Sequence, residues 1–261
     1  MLEDFEKYFK RILAVSVFST NILFAIEISS LSQAVDIAGK QRMYTQRMLK
    51  DYAMIGMNNT YGDPHKDLTK TINAFSDHLK ALKEYVTNDA LREELNKVEK
   101  LWQPIRKELQ TVPNLQKVGK LQADLEVLLK ASDTVTRQLA KESGNASGKI
   151  VNMAGRQRML SQRMASLYML KVWGVEDPNF KMKLDESMKL FKSSLLTLEG
   201  SSLNSDETKI LLTKVKRSFM FFEMMNRSKS KFVPTLIYKK SDEILKNMNR
   251  VTELYVKSES K

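Results

Sequence analysis

Beyond its N-terminal segment the chain reads as a succession of helical hydrophobic patterns separated by turn signals. Gly62-Asp63-Pro64 breaks the first pattern, and the next runs to Tyr85. Asn88-Asp89 then caps a third helix, and Pro113 precedes a fourth that contains Leu125 to Leu139. The same order recurs later: Glu176-Asp177-Pro178, a pattern reaching Leu198, the cap Asn204-Ser205-Asp206, then Pro234 and Ile244 to Tyr255. The pattern predicts an all-α protein of two tandem four-helix bundles, residues 28–143 and 147–260. The boundary is Ser143-Gly144-Asn145-Ala146-Ser147-Gly148, a cluster of helix breakers. If the chain reverses there, the first helix of each half points the same way and the halves pair side by side. If a helix runs through the two glycines, the bundles stack end to end.

The N-terminal segment is patterned differently. Ile12 to Ala25 is an uncharged apolar run preceded by Lys7, Lys10 and Arg11 and ended by Glu27. That layout is expected of a secretory signal or a short membrane anchor over residues 1–25. A first buried helix of a bundle is the competing reading.

The two halves share more than rhythm. Ala38-Gly39-Lys40-Gln41-Arg42-Met43-Tyr44-Thr45-Gln46-Arg47-Met48 matches Ala154-Gly155-Arg156-Gln157-Arg158-Met159-Leu160-Ser161-Gln162-Arg163-Met164 at all but three positions, 116 residues apart. A period this long is a domain duplication. On a helix, Arg42 shares its face with Val35, Ala38, Gly39, Gln46, Leu49 and Ala53, and Arg158 has Val151, Ala154, Gly155, Gln162, Ala165 and Met169 around it. Arg47 falls with Lys40, Lys50 and Asp51, on what reads as a wetter side.

A guanidinium on an apolar stripe must be paired or must meet an anion. Arginine's fork of donors suits a planar oxyanion, and Gly39 and Gly155 allow a ligand or a neighbouring helix to approach the backbone closely. Gln41, Gln46, Gln157 and Gln162 add neutral donors. The bland alternative is that both arginines pair with carboxylates across the bundle and the glycines only permit close packing. The methionines of the motif read as core filler.

Composition narrows the function. The chain has 261 residues and a net charge of +12, and residues 1–25 contribute none of that excess. The basic residues are interleaved with acids, as in Leu91 to Lys100, and no nucleic-acid-binding motif appears, so no nucleic acid is expected. There is no cysteine, and His65 and His78 are too far apart for a helical ligand pair, so neither thiol chemistry, a metal nor a cofactor is expected. No phosphate loop or nucleophile elbow is present, and the chain does not read as an enzyme.

The motif pair resembles the NarX-like, or PilJ-type, N-terminal sensory domain of nitrate/nitrite sensor kinases and type IV pilus chemotaxis transducers. The resemblance implies periplasmic four-helix bundles in which motif helices meet around one anion, with the ligand-binding arginine three positions after the motif glycine. That position is Arg42 and Arg158 here, and the glycines are Gly39 and Gly155. Lys40-Gln41, Arg156-Gln157, Gln46 and Gln162 depart from the nitrate sensors and resemble the PilJ-type version. The resulting expectation is a periplasmic binding protein for a small inorganic anion, nitrate or nitrite, with Arg42, Arg158, Gly39, Gly155, Gln46 and Gln162 as its ligand-binding residues. No signalling stalk or kinase module is evident in the sequence, so signalling is expected through a separate membrane sensor kinase or chemoreceptor. A homodimer is compatible with it. The reading from another class is a ligand-free helical scaffold for an envelope, pilus or chemotaxis complex.

Overall fold

The computed structural model describes residues 26–143, 146–227 and 233–258. Within these residues the chain forms eight helices: α1 (Leu31–Gly56), α2 (Pro64–Tyr85), α3 (Asp89–Leu109), α4 (Val118–Glu142), α5 (Ala146–Trp173), α6 (Phe180–Glu199), α7 (Asp206–Arg227) and α8 (Pro234–Ser258). No strand interrupts them among the described residues, so the all-α expectation holds. The expected signal or anchor at residues 1–25 lies outside the described residues.

Local chemistry sets the starts of the helices. The Ser30 hydroxyl accepts the Gln33 amide at the head of α1. Asp63, held at φ 54°, accepts the Lys66 amide at the head of α2, where Pro64 has no amide hydrogen to leave unpaired. Asn88 caps α3, and the Ser205 hydroxyl accepts the Thr208 amide at α7. Pro234 is the first residue of α8 rather than a residue preceding it, which is the place where a helix tolerates proline best.

Each half is a four-helix bundle. In the first, α2 and α4 pack on α1, and α3 packs on α4. In the second, α6 and α8 pack on α5, and α7 packs on α8. The most extensive helix pairing of all is α1 against α5, so the bundles share one continuous core. The chain reverses between α4 and α5: Glu126 of α4 meets Arg163 of α5 at 2.7 Å, while Ser143 lies against Gly148. The motif helices α1 and α5 therefore run parallel and side by side, as Gly39 beside Gly155 and Gly56 beneath the Trp173 ring both show. Among the described residues no helix is long and apolar enough to cross a membrane.

The repeat survives in the core, with one slip. Phe75 stacks near Trp102 at 4.3 Å between ring centres, and Phe191 stacks on Phe219 at 4.5 Å. Phe75 and Phe191 keep the motif's spacing of 116, but Leu95, Val98, Trp102 and Ile105 are answered by Leu212, Val215, Phe219 and Phe222, one residue later. The extra residue is absorbed before α7 and is recovered by α8, where Val135 and Leu139 again match Val251 and Tyr255 at 116.

One expectation is corrected by the packing. Arg47, Lys50 and Asp51 do not lie on a wet face: Lys50 and Asp51 are completely buried, because α2 and α8 close over that side of α1.

Candidate functional site

Arg42 and Arg158 are both fully buried where α1 crosses α5. A Cβ built on Gly39 would lie 3.3 Å from the Arg42 Nη2 and 3.4 Å from the Arg158 Nη2, and one built on Gly155 would lie 3.2 Å from each. The two guanidinium groups thus converge over the glycine pair. A side chain at either glycine would crowd them, because contacts of 3.2–3.4 Å are tight enough that the guanidinium groups would have to shift, while the opposite glycine's Cα, at 3.9 Å and 3.8 Å, would be in ordinary contact.

Each arginine is already answered. Arg42 Nη1 donates to Asp133 on α4 at 2.7 Å, and its Nη2 donates to the Asn152 carbonyl at 3.3 Å. Arg158 Nη2 is 2.7 Å from Asp36 and also reaches the Asp36 carbonyl at 3.4 Å, while its Nη1 donates to the Asn249 side chain at 3.3 Å. These partners obey the repeat, for Asp36 and Asn152, like Asp133 and Asn249, are 116 residues apart. The chemistry does not: both carboxylates belong to the first half, and the second half has amides in their places.

The aspartates are shared outward as well. Asp36 also pairs with Lys40 at 2.9 Å, and Asp133 with Arg137 at 2.9 Å. Burial alone would raise the Asp36 carboxyl, but Arg158 and Lys40 overcome it and hold the group below its ordinary range. Burial pulls Arg42 down to about 10, with Asp133 opposing and Arg156 and Arg158 adding to the fall. Each aspartate is thus paired with two cations, Asp36 with Lys40 and Arg158, and Asp133 with Arg42 and Arg137. The Nε of Arg42 and of Arg158 has no hydrogen-bond partner among the described residues.

Of the six residues expected at the site, Arg42, Arg158, Gly39 and Gly155 come together. Gln46 and Gln162 do not join them. Gln46 donates to Glu126 and accepts the Ser166 hydroxyl, and Gln162 donates to the Ser241 carbonyl, so each serves the packing one turn further along. Gln41 and Gln157 donate at 2.9 Å to the carbonyls of Phe75 and Phe191, tying each motif helix to the next helix of its own half. Sequence reasoning missed Asp36, Asp133, Asn152 and Asn249. Their signal was available: carrying the repeat spacing past the motif exposes two Asp/Asn pairs on the helices that face the arginines.

Two copies of one four-helix unit, joined through parallel motif helices with a polar cluster at their crossing, define a duplicated helical-bundle domain. The family of type IV pili methyl-accepting chemotaxis transducer N-terminal domains, PilJ, matches residues 27–128 and 139–214, and the chain belongs to it. It is a PilJ-type sensory domain. No curated protein and no solved structure matches the chain.

Proposed function

We propose that this chain is a periplasmic sensory module that reports to a separate membrane chemoreceptor or sensor kinase through the relative placement of its two halves, with the arginine cluster as the lock between them. The observation that carries this reading is that both buried motif arginines already hold an aspartate at 2.7 Å, one within the first half and one across the seam. A buried arginine so paired has its charge answered without a ligand, and removing its partner costs more than the pair contributes. The helices α1 and α5 then behave as one unit. Family membership supports the sensory role, and the family is generally non-catalytic.

A second reading has its own support. The guanidinium groups converge, both Nε donors are unused, and cations outnumber carboxylates around them. A small planar anion, nitrate or nitrite, would bind there by displacing Asp36 or Asp133 from its arginine. Isothermal titration of the chain with nitrate, nitrite and chloride separates the readings. No heat with any of the three supports the lock. Heat with nitrate or nitrite that disappears in the Arg42→Ala, Arg158→Ala double variant overturns it in favour of anion sensing.

A further inference from the structure

A second charged cluster lies further along the same seam, where α8 of the second half meets α1 and α2 of the first. Lys50 Nζ is 2.7 Å from Asp242 of α8 and 3.7 Å from the centre of the Tyr238 ring. Arg47 donates to Asp67 of α2 at 2.8 Å, and the Tyr238 hydroxyl donates to the same Asp67 oxygen at 3.1 Å. Asp242 thus holds Lys50, and Asp67 holds Arg47. Asp51 is left with these same cations at 4.0 Å and 3.8 Å, and neither of its carboxylate oxygens has a hydrogen-bond partner among the described residues.

Three carboxylates therefore face two cations, and the surplus one is the most deeply buried. Asp67 and Asp242 keep side-chain exposures of 21% and 32%, whereas Asp51 has none. An ionised carboxylate without donors is so unfavourable in a dry interior that it ordinarily takes up a proton. Burial pushes the Asp51 carboxyl up to about 7, with Lys50 and Arg47 pulling down and Asp242 and Asp67 pushing up. Among the described residues, the charged and titratable groups facing it are Arg47 and Lys50 on its own helix, Asp67 on α2, and Tyr238 and Asp242 on α8. On α5, the cation Arg163 is taken by Glu126 at 2.7 Å. The cluster is not a requirement of the fold, since the repeat places Ser166 and Leu167, both buried, where Lys50 and Asp51 stand in the first half.

We propose that Asp51 is a proton-binding site in the seam and that its proton sets how firmly α8 is held against α1 and α2, making the junction of the halves responsive to pH near neutrality. With the proton on, Asp51 is a neutral acid and the two cations stay with Asp67 and Asp242. When the proton leaves to solvent, a third negative charge competes for Lys50 and Arg47 and repels Asp242, loosening the Lys50–Asp242 and Tyr238–Asp67 contacts that attach α8.

The direction follows from linkage. A carboxyl whose folded value lies above its unfolded one binds more protons in the native state, so stability falls as pH rises from about 4 to about 7 and is level above that. The test is thermal unfolding of the full chain from about pH 5 to about pH 8.5, beside Asp51→Asn, with the wild type expected to lose about 5–10 °C more than the variant across that range. Native-state hydrogen exchange gives a second measurement on the unaltered chain. The ratio of α8 to α3 amide exchange rates is expected to rise with pH, because the intrinsic pH dependence cancels between the two helices. Equal pH slopes for wild type and Asp51→Asn, or an α8/α3 ratio independent of pH, would overturn the proposal. Should Asp51→Asn not fold, the exchange ratio alone decides.

Discussion

In the first half, Asp36 and Asp133 face the arginine pair; at the same places in the second half stand Asn152 and Asn249. Both halves bury an arginine completely, yet one half supplies the charge that holds both. Arg42 takes Asp133 from its own bundle, and Arg158 takes Asp36 from across the seam. Two identical subunits could not divide the work this way, because symmetry would put the same residue on both sides of the interface. A tandem chain is free of that constraint. The two acids answer both buried guanidinium groups, and Lys40 and Arg137 pair with the same carboxylates from the more exposed side.

The outer helices differ in the same spirit. Met182 and Leu196 on α6, and Ile210, Met220 and Met224 on α7, are all more than half exposed. Their counterparts under the core alignment are Lys66, Lys80, Glu93, Gln103 and Lys107, all polar. Divergence after duplication has therefore touched both the seam and the surface while leaving the core positions alike.

The largest expected effect tests the division of charge. Asp36→Asn gives both halves an amide at this place and strips Arg158 and Lys40 of their carboxylate, and it is expected to lower stability by about 3 kcal/mol in chemical denaturation. Adding Asn152→Asp to that variant should recover under about 1 kcal/mol, since the restored acid would face Arg42, which Asp133 already holds, and leave Arg158 wanting. Full recovery would show the halves to be interchangeable and end the comparison.

Trp102→Phe makes the first half's aromatic stack like the second's. It sacrifices indole volume and the Nε1 hydrogen bond to Ser76 at 3.1 Å, at an expected cost of about 1–2 kcal/mol by the same measurement. Gly155→Ala sharpens the role of the crossing. Helix propensity favours alanine by about 1 kcal/mol, but a Cβ at 3.2 Å from two arginine nitrogens that aspartates hold in place reverses the sign, for a net loss of about 1 kcal/mol. Smallest of all, Ile210→Glu and Met224→Lys bring the outer face of α7 towards that of α3 and should shift stability by no more than about 0.5 kcal/mol, because both side chains are already in water.

Much of this was legible in the sequence. The helices, their caps at Asn88 and Ser205 and the inward placement of Arg42 and Arg158 follow from relations within a few residues, where helical geometry alone decides which side chains share a face, and the duplication is plain from the motif repeated 116 residues apart. The side-by-side arrangement was one of two outcomes the breaker cluster allowed, and the chain reversal between α4 and α5 selected it.

What only the tertiary structure decided is what covers each face. Arg47, Lys50 and Asp51 have the pattern of a solvated side, and they are enclosed because α8, some 190 residues further on, lands there with Tyr238 and Asp242. The same holds for the arginines: the sequence by itself required that something answer them, but whether an anion or a carboxylate did so depended on where α4 and the opposite motif helix came to rest. Periodicity is a property of one helix, whereas burial and charge pairing are properties of the space between helices, and that space exists only once the chain has folded.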